Sequence, residues 1–319
     1  MRAALTRRYG PPDVVDLTEV PEPMPGPADL VVRVAAAPVT RADARIRALD
    51  VPAGYGPILR LVFGWNGPRR AVQGAEFAGV VERGAGAFAK GQRVMGITGM
   101  RGGAHAERVV IAAGGLVVPV PDTLSDVQAA AFWFGGLTAA HFLLDKGGLR
   151  AGQRVLIDGA GGAVGSAAIQ IARATGARVV ARCSPGSHDL ARDLGAVVVD
   201  RAAPLPDGPF DLLLDVAGTW DVASAFRLLG PQGRFLRVTA SLWAELGAAL
   251  RPRRGGRRLV AGVVAETPAA MARLLALHAA GSYSPVVGAV LPFAQIRQAH
   301  ALAGSWTKRG TVVVVMDAP

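Results

Sequence analysis

Two spacings of apolar residues follow one another along the chain. Up to about residue 119, short apolar segments such as "DLVVRVAAAPV", "EFAGVVERG", "QRVMGIT" and "ERVVIAA" are separated by Gly and Pro turns, a spacing that predicts an irregular β domain. Beyond residues 119 to 124 helical and strand periods alternate. "SDVQAAAFWFGGLTAAHFLLDKG" predicts two helices broken at Gly135-Gly136, and "QRVLID", "ARVVARC", "GAVVVD", "FDLLLDVAG", "GRFLRV" and "RRLVAGVV" predict successive strands. Such alternation predicts a doubly wound parallel sheet. Near the end, "YSPVVGAVLPFAQIRQAHALAGSWTKRGTVVVVM" predicts strand, helix and strand that can rejoin the first domain.

The junction "LIDGAGGAVGS" sets an apolar strand against Gly159, Gly162 and Gly165. The following "AVGSAAIQIARATG" has helical spacing, and "ARVVARC" is again a strand. Strand, glycine turn, helix and strand make a βαβ unit of about 30 residues, the context in which such a turn cradles a dinucleotide pyrophosphate. A plain tight turn is the alternative, since 41 glycines in 319 residues produce triplets by chance. Gly159 and Gly162 are expected to use backbone angles closed to other residues and to let a phosphate reach the main chain, and Gly165 to let the helix lie close to the strand. Helix-start amides, here Ala163 and Val164 with Gly165, lack intrahelical acceptors and sit at the positive end of the dipole.

Composition narrows the classes. Hydrophobic residues make up 51% and charged ones only 18%, which suits a large buried core in about two domains. The start, "MRAALTRRYGPPDVV", lacks the apolar core of a secretory signal and no membrane span is apparent, so a cytoplasmic location is expected. A single cysteine, Cys183, excludes an internal disulfide and a multi-cysteine zinc lobe. The net charge of +11 is carried mostly by arginine. "RPRRGGRR", residues 251 to 258, is the one dense basic run; without interleaved aromatics it suits a solvated loop or an anionic ligand better than nucleic acid.

The order and wording of these segments resemble the medium-chain dehydrogenase/reductase superfamily, in its zinc-independent quinone oxidoreductase-like branch. "RYGPPDVVDLTEVPEPMPGPADLVVRVAAAPVTRADARIR" resembles that branch's opening, "GAEFAGVVERGAGAFAKGQRVMG" its catalytic core, "GGLTA" its cofactor-facing helix start, and "VLIDGAGGAVGSAAIQIARATGARV" with "DLGAVVVD" its nucleotide-binding region. The resemblance covers nearly the whole chain. It implies an α/β protein with a GroES-like β-rich catalytic domain, 1–120 with 286–319, and an inserted Rossmann NADP-binding domain, 121–285. It also implies a cleft between the domains and a homodimer.

Zinc-dependent relatives hold a catalytic metal with an early cysteine, a His-Glu pair and a later acidic or cysteine ligand. Here the early segment is "APVTRAD" and the pair is Ala75-Glu76. Glu76 alone cannot hold a metal, and His105, His141, His188, His278 and His300 are scattered, so no metal is expected. His105 is expected on the surface or in a hydrogen bond rather than in the cleft.

The cofactor expected is NADPH. Where NAD-binding proteins place a carboxylate, at the end of the second strand, this chain has Arg182, Cys183 and Ser184; an arginine fork there can hold a 2′-phosphate. Arg201, after "VVVD", is a second candidate; Thr138 in "GGLTA" and the Ala217-Gly218 pair after "FDLLLDV" are further candidate contacts. Either arginine can equally be a solvated side chain. Without zinc to polarise an alcohol, hydride delivery to a conjugated acceptor is the chemistry best suited to the chain. By the resemblance, Thr40 stands where relatives have an asparagine and Asp43 matches that motif's aspartate; with Tyr55 they are candidate catalytic residues, although Asp43 can simply bond to backbone. Apolar "PILRLVFGW" suits a small hydrophobic carbonyl or quinone. Three functions remain open: a quinone or enone reductase, an enoyl-thioester reductase, and a non-catalytic NADPH-binding protein. The absence of a carrier or ketosynthase segment leans toward the first.

Overall fold

The computed structural model describes residues 1–50, 56–239 and 256–316. The chain divides into two compact units, one formed by Met1–Val51, Gly56–Trp133 and Val287–Pro319, the other by Phe134–Val286.

In the first unit the alternation of "DLVVRVAAAPV" becomes β3 (Asp29–Val39), whose Leu30, Val32 and Val34 are buried while the residues between them are partly exposed. Strand β3 pairs antiparallel with β4 (Glu76–Arg83), β6 (Arg108–Ala112) and β15 (Thr311–Val315). The sheet runs β14-β15-β3-β4-β5-β7, with β5 at Arg93–Ile97, β7 at Leu116–Pro119 and β14 at Val287–Pro292. A two-stranded ribbon, β1 (Arg2–Thr6) and β2 (Val15–Glu19), stands apart from that sheet. Phe77, Val94, Val109, Phe293 and Val314 share one core. Strands β14 and β15 and the helix between them (Ile296–Gly304) lie in this unit.

The second unit holds six strands in the order β10-β9-β8-β11-β12-β13, all parallel. They are β8 (Arg154–Asp158), β9 (Arg178–Cys183), β10 (Val197–Asp200), β11 (Phe210–Asp215), β12 (Leu229–Arg237) and β13 (Arg258–Val260). The order reverses beside β8, which places the switch point of the doubly wound sheet at the glycine turn. Helix α5 (Ala163–Ala174) follows that turn and buries small and branched residues, among them Ala167, Ala168, Ile169 and Ile171.

Two boundaries differ from expectation. The unit changes at Trp133-Phe134 and Val286-Val287 rather than at 120/121 and 285/286, because α3 (Asp126–Ala130) packs on β3 and β4. The helix break falls at Ala131-Phe132, and Gly135 and Gly136 lie inside α4 (Trp133–Ala140). There they serve packing: a Cβ on Gly135 would stand 2.5 Å from the Ala163 carbonyl oxygen, and one on Gly136 2.5 Å from a Leu274 methyl.

Candidate cofactor site

The site is built at the carboxyl ends of β8, β9, β10 and β11, where an open parallel sheet leaves a crevice. Each glycine of the turn after β8 has a separate reason to be glycine. Gly159 has φ +82°, a left-handed backbone that side chains disfavour, and its amide donates to the Arg182 carbonyl at 3.0 Å. A Cβ on Gly165 would lie 2.3 Å from the Gly159 carbonyl oxygen, so α5 can meet the turn only without one. Gly162 differs from expectation: as N-cap of α5 it has φ −82° and ψ 177°, angles open to any residue. What distinguishes it is space, since a Cβ there would meet nothing nearer than the Gly159 oxygen at 3.8 Å. No side chain caps α5, although Ala163, Val164 and Gly165 are buried in its first turn. An open approach over uncapped helix-start amides fits a pyrophosphate.

Parallel register brings the polar strand ends together. Asp158 is the partner of Arg182 on one side and of Asp215 on the other. Asp215 is fully buried; it accepts from the amides of Gly218 at 2.6 Å, Trp220 at 3.2 Å and Thr219 at 3.3 Å, which shapes the turn containing Ala217 and Gly218 (φ +73°). Burial pushes its carboxyl above the usual carboxylate range, against those amide bonds.

Arg182 does not project freely as a phosphate fork. Its Nη1 donates to Asp158 Oδ1 at 2.8 Å, its Nη2 to the Arg201 carbonyl at 2.5 Å, and its guanidinium carbon lies 5.5 Å from the Trp220 ring centre. A carboxylate at the matching position of the neighbouring strand has claimed its charge. Arg201 is the freer arginine: its Nη2 reaches Thr219 Oγ1 at 3.4 Å, and among the described residues no carboxylate pairs with it. Both arginines line an open cavity of about 320 Å³ with Leu205, Thr219, Trp220, Asp221 and Ser224. Ser184 is exposed just past β9. Thr138 is buried as the sixth residue of α4, in its second turn rather than at its start.

The candidate catalytic pair is engaged elsewhere. Thr40 is the N-cap of α1 (Arg41–Ala48); its amide and Oγ1 both donate to Asp43 Oδ2, at 2.8 and 2.6 Å, and the Asp43 amide returns a bond to Thr40 Oγ1 at 3.2 Å. This reciprocal capping box engages the Thr40 hydroxyl and one carboxylate oxygen of Asp43. Tyr55 lies outside the described residues, as do 251–255 of the basic run; Arg257 bonds through Nε to the Leu229 carbonyl. The stretch "PILRLVFGW" lies in and just beyond α2 (Gly56–Phe63), with Ile58, Leu61, Val62 and Trp65 exposed. His105 is buried and its Nε2 lies 3.0 Å from the Pro38 carbonyl oxygen, so it is the hydrogen-bonded histidine expected. Among the described residues no group of three or more His, Cys, Asp or Glu is arranged to hold a metal ion.

Sequence reasoning missed Asp158, Thr219, Trp220, Asp221 and Ser224. The signal for Asp158 was present in "VLID": a carboxylate ending the first strand of a parallel sheet lies beside the residue ending the second.

Comparison with known proteins places this geometry in a family. Residues 26–122 match the alcohol dehydrogenase GroES-like domain and residues 194–314 the zinc-binding dehydrogenase domain. The quinone oxidoreductase of Rattus norvegicus is 26% identical, with 99% of this chain and 98% of that protein covered. The structure of the quinone oxidoreductase of Thermus thermophilus, determined also in complex with NADPH, is 30% identical, covers 99% of this chain and 100% of its own, and superposes with a TM-score of 0.79. The NorB protein of the spectinabilin polyketide synthase system of Streptomyces orinoci is 36% identical over 218 residues, 64% of this chain. The chain spans only 4 to 11% of the length of the polyketide synthases that it matches. The chain belongs to the medium-chain dehydrogenase/reductase superfamily, in its quinone oxidoreductase-like branch.

Proposed function

We propose that the chain is an NADPH-dependent reductase that delivers hydride to a quinone or an α,β-unsaturated carbonyl without a metal ion. The observation that carries this reading is the turn after β8: a positive-φ Gly159, open space over Gly162 and an uncapped α5 beside a cavity lined by two arginines. The fit is to a dinucleotide. The amides at the start of α5 would hold its pyrophosphate, the turn at Ala217-Gly218 would border it, and Arg201 would meet a 2′-phosphate. When bound, the nicotinamide supplies the hydride. The phosphorylated form is favoured because Arg201 has no carboxylate partner among the described residues, and the Thermus thermophilus relative is described with NADPH.

The described residues do not fit a catalytic zinc, which needs three protein ligands and an open position. A conjugated acceptor suits such a chain, because charge arriving on it spreads through the π system and needs little more than hydrogen-bond donors. Thr40 and Asp43 are bonded to each other and are given no part in that donation. No helix among the described residues is long and apolar enough to cross a membrane.

A second reading, reduction of enoyl thioesters, draws on the polyketide synthases, of which one segment of the Saccharopolyspora erythraea erythronolide synthase is 44% identical over 131 residues. Following NADPH and NADH absorbance with quinones, enones and enoyl thioesters, with and without chelator, decides between them. Turnover of quinones or enones with NADPH, unchanged by chelation, is the expected result. A thioester preference installs the second reading; failure to bind or oxidise either nucleotide sinks both.

A further inference from the structure

The two arginines of the cavity are held differently by the fold. Arg182 is locked by Asp158 and by the Arg201 carbonyl and is 15% exposed, whereas the Arg201 side chain reaches Thr219 Oγ1 at 3.4 Å and pairs with no carboxylate among the described residues. Asp158 has no exposed surface and therefore touches no ligand, yet it holds two of the lining residues, Arg182 and Thr219. Its Oδ1 takes Arg182 from β9, its Oδ2 lies 3.4 Å from the Thr219 hydroxyl after β11, and through Arg182 it is tied to the backbone after β10. Asp158 thus offsets the charge of Arg182, while Asp221 on the rim accepts from the Ser224 amide at 2.9 Å.

We propose that Asp158 is a positioning residue that sets how this cavity discriminates a 2′-phosphate from a 2′-hydroxyl on an adenosine ribose: it holds Arg182 in a neutral pair and leaves Arg201 as the cation that meets the phosphate. The inference rests on the cofactor reading above. A buried carboxylate placed against an arginine lowers the potential the arginine projects into the cavity, and the low dielectric around it makes that effect long in reach. The chain thus keeps a second cation in the cavity wall with its charge compensated from below.

The test is calorimetric binding of adenosine 2′,5′-bisphosphate and 5′-AMP to the full chain, with NADPH and NADH in parallel. Asp158→Asn keeps the shape and removes the negative charge, so the bisphosphate-to-AMP affinity ratio is expected to rise about tenfold while AMP binding hardly moves. Arg201→Gln, on the freer side chain, should lower the ratio by a similar factor. The double variant D158N/R182Q removes the pair as a whole and should restore the wild-type ratio. A parallel loss of both probes in D158N, an unchanged ratio in R201Q, or a raised ratio persisting in the double variant overturns the proposal. If D158N does not fold, Asp158→Ser, which also removes the negative charge, carries the same expectation of a raised ratio and overturns the proposal if the ratio is unchanged. Wild-type protein that binds neither dinucleotide refutes the cofactor reading itself; wild-type protein that binds both, with a ratio none of the variants moves, refutes only the role of Asp158.

Discussion

The start of α1 and the turn after β8 offer the same kind of promise in sequence, polar or glycine residues at family spacing, and the structure treats them in opposite ways. At α1, Thr40 and Asp43 close a capping box on each other and each is only 6% exposed, so the Thr40 hydroxyl proton is already committed. At the β8–α5 turn, no side chain caps the helix and the space over Gly162 is open. Polar groups that complete one another stabilise the fold; those that the fold leaves incomplete are available to a ligand. Residue type at a spacing does not distinguish the two cases. Partner geometry does.

Arg182 belongs on the completed side of this divide, and the largest expected effect follows from that. Arg182→Ala strands the fully buried Asp158 without its partner, which costs about 3 to 5 kcal/mol. Thermal or denaturant unfolding should show that loss, and replacing both residues with neutral ones should recover most of it. If the single alanine variant keeps wild-type stability and loses only NADPH affinity, Arg182 is a ligand contact and the comparison fails at this residue.

Gly162 and Gly165 sharpen the contrast. Gly162→Val should weaken dinucleotide binding by about 100-fold, on the order of 3 kcal/mol, with a stability cost of about 1 kcal/mol from the poorer N-cap. Gly165→Val should instead lower the unfolding midpoint strongly, because its Cβ would sit 2.3 Å from backbone oxygen. Binding by titration and unfolding measured on both variants separate the roles. An unfolded Gly162 variant, or one with full affinity, would return the turn to mere packing.

Much of this was legible in the chain because it depends on period and order. The alternation in "DLVVRVAAAPV" specified β3, and strand, glycine, helix, strand specified the switch point, since both follow from local spacing. The double glycine at 135-136 misled for a physical reason: glycine ends helices when it must adopt positive φ, but here it lets α4 approach Ala163 and Leu274. Contacts across a fold are not written in local spacing. Arg182 was placed correctly on its strand end, but its partner lies 24 residues earlier. Thr40 was a candidate donor because it stands where relatives have an asparagine, but its Oγ1 donates to a carboxylate that the helix start brings within reach.

Acid should probe how completely the antiparallel unit seals its polar groups. His300 is 1% exposed, stands edge-on to His105 with ring centres 5.5 Å apart, and is held near a pKa of about 2 by burial, by His105 and by Arg47. Its ordinary value is 6.5, so the folded state keeps it neutral while the unfolded chain takes up a proton. The stability tied to it is therefore complete above pH 6.5 and is lost progressively as pH falls from 6.5 toward 2, about 2 kcal/mol of it by pH 5. His300→Leu should flatten that part of the stability profile. A wild-type profile with no loss between pH 6.5 and 5 would mean water reaches the ring.

Thr40→Ala is the smallest expected effect and bears most directly on the comparison, because it asks whether a group satisfied by its neighbour can also serve chemistry. Removing Oγ1 deletes the bonds to Asp43 Oδ2 and from the Asp43 amide but leaves the Thr40 amide donating to the carboxylate. A lost N-cap costs about 1 kcal/mol, and Thr40→Ser, which keeps the hydroxyl, should cost less. Because α1 contributes its own capping rather than a donor, kcat with a quinone or enone should stay within about twofold of wild type once measured well below the unfolding midpoint. Removal of a hydrogen bond that stabilises developing charge would instead lower kcat by about 100-fold or more, with serine restoring it. That second pattern would place Thr40 on the open side of the divide, where an acceptor pulls its hydroxyl away from Asp43 during turnover.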